Sequence, residues 1–246
     1  ANKEILACDG SAYQSLRDAE REGGGRLLGE STVGAGLPIA RTLETIQGAG
    51  DRVVRIEASL SGTIGLILDQ LATGRALAAI VEEAVAKGFA EPDPREDLLG
   101  RDMTRKAVIL ARMAGLSESV AVEPFAPMSS GDVSDPSVRE ALDRAGAGIS
   151  QRLSAAKERG EEVKYLAVID RAEGASLRLR EIETTSPLCG MLGAEVGAAI
   201  WTELNGERPI VVRGTGAGAD PTAFGVISDL ATIASFMGVG VVGGGA

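Results

Sequence analysis

With 246 residues and 44% hydrophobic content, the chain is long enough to bury a full core in one or two domains. Its net charge of −10 and pI near 4.7 argue against nucleic acid and an anionic membrane surface as partners. Because it shows neither a signal peptide nor an apolar run long enough for a membrane helix, a cytoplasmic protein is predicted. The sequence has no histidine, which excludes Ser-His-Asp and Cys-His catalysis and leaves lysine and carboxylate side chains for any proton chemistry.

Periodicity and turn residues predict a mixture of helices and strands along the whole chain. Up to the acidic segment the predicted elements are a helix at 9–22, a short strand at 26–33, a turn at 34–38, a helix at 39–50, a strand at 53–60, a helix at 63–73 capped by Ser-Gly-Thr, and a helix at 76–87. Beyond it come an irregular stretch at 117–136, a long helix at 136–159, strands at 163–172, 176–185, 195–204 and 209–214, and a helix at 220–236. This order lacks strict βαβ alternation, so it favours an α+β fold with helices packed on a mixed, largely antiparallel sheet.

The most informative segment is 88–106, GFAEPDPREDLLGRDMTRK, which carries five carboxylates, three arginines and one lysine. A helix indexed from Leu98 at 100° per residue has an apolar arc of roughly 140°. Three arginines, at 101, 105 and 112, cluster on the opposite side of this helix. Asp102 and Lys106, however, fall inside the apolar arc, where a helix is expected to bury hydrocarbon.

Two interpretations of these inward charges follow from their spacing. On a solvated face an i,i+4 ion pair contributes only about 0.3–0.5 kcal/mol, but desolvating two charges costs several kcal/mol, so buried charges persist when paired or chemically employed. Asp102 and Lys106 are therefore either a structural buried ion pair or part of a site. Glu91 and Asp97 favour the interpretation as a site, because two prolines stiffen their loop and can direct several carboxylates toward one point. Carboxylates that converge with a lysine suit a small zwitterionic substrate with a carbonyl group.

Two glycine-rich segments invite a nucleotide-binding interpretation. Residues 214–219, GTGAGA, follow a predicted strand and precede a predicted helix, as a dinucleotide fingerprint does. The spacing is GxGxG and no strand with a terminal acidic residue follows, so a tight strand-to-helix turn is the competing interpretation. Residues 238–246, GVGVVGGGA, are interpreted as a tail, with the opening strand of a nucleotide-binding unit as the alternative. No segment of the sequence is a complete nucleotide-binding βαβ unit.

Several segments, in this order, resemble homoserine dehydrogenase: ANK at the start, ESTVGAGLPI, IEASLSGT, EPDPREDLLGRDMTRK and RGTGAGADPTAFGVISDL. The similarity covers nearly the whole chain, to about residue 237. Its pattern EPDPRxDLxGxDxxRK is long and specific, which makes chance a poor explanation. The later segments, RLSAAKERGEEVKYLAVID and PIVVRGTGAGADPTAFGVISDL, look most like the dehydrogenase half of bifunctional aspartate kinase–homoserine dehydrogenases.

The resemblance implies an enzyme that interconverts aspartate 4-semialdehyde and homoserine with NADP or NAD, on the branch to threonine and methionine. It also implies that the enzyme is a homodimer and that its substrate is a small amino acid. It implies that Lys106 is the acid/base lysine, that Lys3 lies between nicotinamide and substrate, and that Asp102 orients substrate or lysine. It also implies that Glu91 and Asp97 bind the substrate's amino group and that Lys3, Gly216 and Gly218 contact the cofactor. A sodium ion is implied as well, coordinated by the main-chain carbonyls of Glu30, Val33, Ala35 and Leu37. Ser61 and Thr63 are candidates either to line this site or to cap a helix.

One departure from the family is large, because its amino-terminal nucleotide-binding domain with the GxGxxG motif is not part of this sequence. The resemblance divides the chain into a substrate-binding, catalytic and dimerisation domain at 1–219, a helix at 220–237 that would pack on the nucleotide-binding domain, and a tail at 238–246. Residues 1–246 alone are therefore expected to bind NADPH weakly or not at all and to have negligible activity.

The sequence allows two other functions to be compared with this one. The first alternative is that the chain is an assembly module without catalytic activity of its own. Its sheet would then mediate dimerisation and position a partner domain. An aspartate-semialdehyde dehydrogenase is disfavoured, because that chemistry needs a nucleophilic cysteine paired with a histidine. The sequence has no histidine and places neither cysteine in a suitable context.

Overall fold

The computed structural model describes residues 3–238, so most of the predicted tail at 238–246 lies outside the described residues. The helices are α1 (Lys3–Ala7), α2 (Gly10–Gly23), α3 (Ile39–Gly48), α4 (Gly62–Leu71), α5 (Leu77–Ala86), α6 (Arg95–Leu98), α7 (Arg101–Ala114), α8 (Pro136–Glu158) and α9 (Ala219–Phe236). The strands are β1 (Val53–Ser59), β2 (Val120–Val122), β3 (Glu161–Asp170), β4 (Gly174–Glu183), β5 (Glu195–Thr202) and β6 (Ile210–Thr215).

The strands form one six-stranded sheet in the order β2-β4-β3-β1-β5-β6. Every neighbouring pair is antiparallel except β2 and β4, which are parallel. The predicted Glu-Gly turn joins β3 to β4, with Asp170 opposite Gly174 and a positive φ of 84° at that glycine. The predicted α+β architecture with a mixed, largely antiparallel sheet is confirmed.

The core lies on one face of this sheet. Helices α4, α7 and α8 contact β3 there, and the inward side chains of neighbouring strands, such as Ile56, Ala167 and Leu177, are completely buried. Because side chains alternate between the two faces of a strand, Leu166 and Val168 point the opposite way. They join a smaller apolar cluster with Ile182, Leu188, Met191 and Ala199.

Two sequence-based assignments were wrong. Residues 26–33, predicted as a strand, are an irregular segment that ends in a 3-10 helix at Glu30–Thr32. The Thr32 hydroxyl donates to the Gly29 carbonyl at 2.5 Å and the Glu30 N–H donates to Asp229 at 3.0 Å, which satisfies polar groups that a strand would pair in a sheet. The stretch 117–136, predicted to be irregular, contains β2, whose three partly exposed residues show no alternation for a pattern to detect.

The helix that carries the inward charges begins later than predicted. Leu98 ends the short helix α6, and α7 begins at Arg101 after a break at Gly100, which has a φ of 73°. A Cβ at Gly100 would overlap the Tyr165 hydroxyl, so both the backbone angle and the packing require glycine. The break allows α6 and α7 to approach the same point from different directions.

One side of helix α9 packs against the rest of the described chain. Gly225 packs directly against the Ala35 carbonyl, and Arg41 bridges toward Asp229 and donates to the Thr232 hydroxyl at 2.9 Å. Its other side exposes large apolar side chains: Phe224, Ile227 and Leu230. Within residues 3–238, neither α9 nor any other helix has the length and apolar character needed to cross a membrane.

Candidate active site

A cavity of about 610 Å³ lies between the first residue of α1, the start of α4, the loop and helix at 88–97, the first turns of α7, and the turn before α9. Its walls bring together most of the residues that the sequence singled out. These are Lys3, Ser61, Thr63, Glu91, Asp97, Asp102, Lys106 and Gly216. Residues more than two hundred positions apart in the chain thus face one space.

Asp102 and Lys106 form the ion pair that their spacing predicts. Lys106 Nζ lies 2.7 Å from Asp102 Oδ2 and donates to the Leu60 carbonyl at 2.7 Å. Lys3 Nζ approaches the other carboxylate oxygen of Asp102 at 3.1 Å. The side chains of Lys106 and Asp102 are 14% and 22% exposed, and that exposure is toward the cavity. The pair is therefore partly buried, and it lines a concave space large enough for a small ligand.

The two buried carboxylates of the cavity differ in their pKa values. Burial pushes the pKa of Asp102 upward, but the charges and hydrogen bonds of Lys106 and Lys3 outweigh burial, so this pKa lies below its ordinary value. Burial raises the pKa of Asp97 to about 6, and the nearby Asp102 carboxylate adds to the rise. Among residues 3–238 no cation forms an ion pair with Asp97, and its carboxylate receives one N–H, from Glu91, at 3.5 Å. Of the two carboxylates, Asp97 is thus the one whose charge is less compensated by the described residues.

The remaining charges of segment 88–106 neutralise each other outside the cavity. Asp93 and Arg95 form a two-pronged pair with contacts of 2.6 to 3.0 Å, and Glu96 accepts from Arg101 and Arg105. Glu91 is exposed at the cavity wall. The tertiary structure thus separates three site carboxylates from two that stabilise the loop.

Ser61 serves both purposes that the sequence allowed, whereas Thr63 lines the site and is not the capping residue. Ser61 Oγ caps α4 by accepting the Ile64 N–H at 3.1 Å, and Thr63 Oγ1 donates to the Phe89 carbonyl at 2.8 Å. Both residues also line the cavity. Sequence reasoning missed the Leu60 carbonyl, which holds Lys106, because a main-chain acceptor leaves no side-chain signal.

The glycines of the GTGAGA segment have separate structural reasons. A Cβ at Gly216 would overlap Val196, and Gly216 lines the cavity. Gly218 has a φ of 115° and precedes α9, but it is not part of the cavity wall, to which Ala217 and Thr222 contribute. The predicted tight strand-to-helix turn is present here, with a bare backbone on the cavity side.

The loop at 30–37 lies outside the cavity wall and packs on α9. Ala35 adopts a positive φ of 55°, and the Leu37 carbonyl accepts the Ile39 N–H at 2.8 Å. One oxygen of the Glu30 carboxylate accepts the Arg41 N–H at 3.0 Å, while the other is buried without a hydrogen-bond partner among residues 3–238. Burial raises the pKa of Glu30 to about 7. Val33 is fully buried behind it.

Comparisons with known proteins agree on one family. The model of the family described as homoserine dehydrogenase matches residues 38–231. The chain is similar to the bifunctional aspartokinase/homoserine dehydrogenase 2 of Arabidopsis thaliana, with 35% identity over 242 residues that cover 96% of this chain and 26% of the relative. It is also similar to the homoserine dehydrogenase of Emericella nidulans, with 34% identity over 93% of this chain and 66% of the relative. The chain thus spans about a quarter of the bifunctional relative and just under two thirds of the fungal one.

Solved structures give the same result for the fold. A protein of unknown function from Candida auris superposes with a TM-score of 0.84 and 30% identity, covering 95% of this chain and 68% of that one. A hyperthermophilic archaeal homoserine dehydrogenase in complex with NADPH superposes with a TM-score of 0.72 and 27% identity, covering 96% of this chain and 63% of that one.

Proposed function

Because this chain belongs to the homoserine dehydrogenase family, we propose that it supplies the substrate-binding and acid–base part of the interconversion of L-aspartate 4-semialdehyde and L-homoserine. The observation that carries this proposal is the convergence of two lysines and three carboxylates on one cavity, at the positions that match the family's motif. The pathway to threonine and methionine follows as the context of that reaction.

Glu91 and Asp97 are proposed to bind the ammonium group of the substrate. Asp97 is buried, its carboxyl pKa is raised to about 6, and its charge is not matched by a neighbouring cation of its own. An arriving ammonium would supply that cation and would favour the ionised carboxylate. Glu91, at the exposed part of the wall, would complete the pocket. The proposal therefore explains why the fold keeps a poorly compensated carboxylate.

Lys106 is proposed to hold the substrate's carbonyl oxygen and exchange a proton with it. An ammonium group has three N–H donors, and the protein uses two of them, toward Leu60 and Asp102. The third remains for a substrate oxygen, on which negative charge builds during reduction. Lys3, held by the same carboxylate of Asp102, would assist from the cofactor side. Asp102 thus orients both lysines toward one position.

The hydride would come from NADPH or NADH when either is bound, and we propose that Lys3, Gly216 and Gly218 face the nicotinamide. The support is that Gly216 and Lys3 line the same cavity and that Gly216 adds no side chain to it. The archaeal relative in complex with NADPH favours NADP as the cofactor. We expect residues 1–246 alone to bind NADPH weakly or not at all, and micromolar affinity in calorimetry would contradict this.

A sodium ion at the loop 30–37 is also proposed, held by main-chain carbonyls of Glu30, Val33, Ala35 and Leu37. The left-handed Ala35 turns successive carbonyls in different directions, and one buried Glu30 oxygen has no hydrogen-bond partner among residues 3–238. Within residues 3–238 no group of three or more carboxylate or cysteine side chains is arranged to bind a metal, so carbonyls would have to provide the ligands. Sodium-23 NMR line broadening that potassium reverses would support the site, and broadening identical to that of a buffer blank would contradict it.

The domain division is proposed as 1–219 for substrate binding, catalysis and dimerisation, 220–237 for a helix that packs on a nucleotide-binding domain, and 238–246 for the tail. The exposed apolar side of α9 supports this role for the helix. The homodimer is proposed to form through the sheet. This assembly role stands beside the enzymatic one, and sedimentation that shows a monomer would count against it.

The decisive experiment joins this chain to a nucleotide-binding domain and follows NADPH oxidation with aspartate 4-semialdehyde as substrate. We expect turnover in the joined enzyme and negligible turnover for residues 1–246 alone. Absence of turnover in a folded, NADPH-binding joined enzyme would contradict the proposed function.

A further inference from the structure

Arg112, near the end of α7, is a buried charge outside the cavity. Its side chain is only 7% exposed. The guanidinium donates to the Leu6 carbonyl through Nη1 and to the Cys8 carbonyl through Nη2, each at 2.7 Å, and its Nε pairs with Glu118. It also lies 4.5 Å above the ring of Tyr13. Arg112 is therefore buried although the helix periodicity places it opposite the apolar arc of α7.

The partners of Arg112 identify what it holds. Leu6 lies in α1, and Cys8 follows the last residue of α1, Ala7. A cation at the C-terminal end of a helix satisfies carbonyls that have no partner within the helix. Burying a guanidinium costs several kcal/mol unless its donors are used, and here all three of its nitrogens have partners. Arg112 thus forms a specific clamp on the end of α1.

Helix α1 depends on such contacts for its position. It has five residues and none of them is buried, and isolated helices below about 12 residues are marginal in water. Its contacts are mainly with α7. A second tie, between Glu4 and Arg105 at 3.6 Å, involves a Glu4 side chain that is 70% exposed, so we expect screening to weaken it.

The first residue of α1 is Lys3, which reaches Asp102 in the cavity. One turn of helix separates Lys3 from the carbonyl that Arg112 grips at Leu6. We propose that Arg112 is a positioning residue: by clamping the C-terminal end of α1 onto α7, it holds Lys3 against Asp102 without touching the cavity itself. The expected effect of Arg112 on kcat rests on the role proposed above for Lys3. The expected effect of Arg112 on the position of Lys3 does not rest on that role.

The position of Lys3 is measured by brief acetylation of the enzyme that joins this chain to a nucleotide-binding domain, followed by mass spectrometry. In Arg112→Met we expect Lys3 to react at least about threefold faster, since α1 opens locally and exposes the amine, while the exposed Lys87 serves as internal reference. Arg101→Met is the matched control, because Arg101 lies on the same helix, is exposed and pairs with Glu96 rather than α1. Unchanged Lys3 reactivity in Arg112→Met would overturn the proposal.

The kinetic consequence is measured by a double-mutant cycle on kcat. We expect Arg112→Met to lower kcat by at least about tenfold, because small displacements of a reacting group are costly. In a Lys3→Ala background the same change should have an effect below about twofold, since its target is gone. Equal effects of Arg112→Met in both backgrounds would mean that Arg112 only stabilises the fold, and would overturn the proposal.

Acetylation tests whether Arg112 positions Lys3, and the kinetic cycle tests whether this position affects the reaction. If Lys3→Ala leaves kcat unchanged, the proposed function of Lys3 fails, while acetylation still decides whether Arg112 positions it. Should Arg112→Met not fold, Arg112→Lys carries the same tests, because a lysine keeps the charge but lacks the planar fork that spans two carbonyls. Parent-like Lys3 reactivity and kcat in a folded Arg112→Lys enzyme would then overturn the proposal.

Discussion

The two ends of α7 use charge in different ways. At its start, Asp102 and Lys106 face a cavity and their ion pair is partly open to it. At its end, Arg112 is almost completely buried, and its nitrogens bind two carbonyls and a carboxylate of the protein. Both regions place charges where the helix pattern expects apolar contact or solvent, yet only the first opens onto a cavity from which a ligand can reach a remaining donor.

This difference gives a physical criterion for a site. Lys106 has one N–H beyond its contacts to Leu60 and Asp102, and Asp97 receives a single N–H at the limit of hydrogen-bond length. Buried polar groups are normally satisfied, so incomplete partners next to an open cavity indicate a ligand. A buried charge away from the cavity whose every nitrogen has a protein partner, as at Arg112, indicates a structural or positioning role.

The largest expected effect concerns the open end of α7. In the enzyme joined to a nucleotide-binding domain, we expect Lys106→Ala to lower kcat at least about a hundredfold, because the proposed proton donor and partner of the developing oxyanion is lost. Steady-state kinetics measure this effect, with Lys87→Ala as control, since Lys87 is exposed and pairs with Glu83, and neither residue lines the cavity. A kcat within threefold of the parent would refute the role of Lys106.

A smaller effect is expected at the cavity wall. Glu91→Ala should raise the KM for aspartate 4-semialdehyde about tenfold and leave kcat nearly unchanged, because a contact to the substrate's ammonium acts equally in ground and transition state. The control is Glu96→Ala, since Glu96 pairs with Arg101 and Arg105 away from the wall. A fall in kcat with unaltered KM would instead place Glu91 in the chemical step.

A third test uses the poorly compensated carboxylate. Since burial raises the pKa of Asp97 to about 6, the folded state binds its proton more tightly than the unfolded state. Its stabilising contribution is complete below the ordinary pKa of 3.8 and is lost as pH rises through 6. Asn cannot ionise, so Asp97→Asn should raise the free energy of unfolding by about 1 kcal/mol near pH 8 relative to the parent.

Urea unfolding near pH 5 and near pH 8 measures this difference. The gain should shrink at the lower pH, where the parent carboxyl is protonated. An equal gain at both pH values would show that packing, rather than ionisation, distinguishes the two side chains. The control is Asp93→Asn, because Asp93 is paired with Arg95 and its pKa is lowered to about 2, below this pH window.

The smallest effect is expected on the outer side of α7. Arg101→Met should change the free energy of unfolding by less than about 0.5 kcal/mol, since Arg101 is exposed and its pair with Glu96 is solvated. Thermal or urea unfolding checks this value. A loss comparable to that of Arg112→Met would erase the distinction between the solvated and the buried arginines of this helix.

Much of the fold was predictable because its elements repeat local patterns. The capping residues Asp9, Ser61 and Asp135 each accept an N–H at the start of a helix, and the alternation of β1 and β4 marks strands with one buried face. The errors arose where local pattern is absent. Loop 30–37 is held by α9, about two hundred residues later in the chain, and β2 exists only because β4 offers it an edge.

The sequence by itself determined most element types, the family resemblance and the charged segment that had to be explained, because periodicity, capping and a long motif are local properties. Only the tertiary structure decided which charges face the cavity. The break at Gly100 separates α6 from α7, Arg95 and Arg105 neutralise the outer carboxylates, and α1 brings Lys3 to Asp102. These outcomes depend on contacts between distant segments and on burial, which no spacing within one segment can encode.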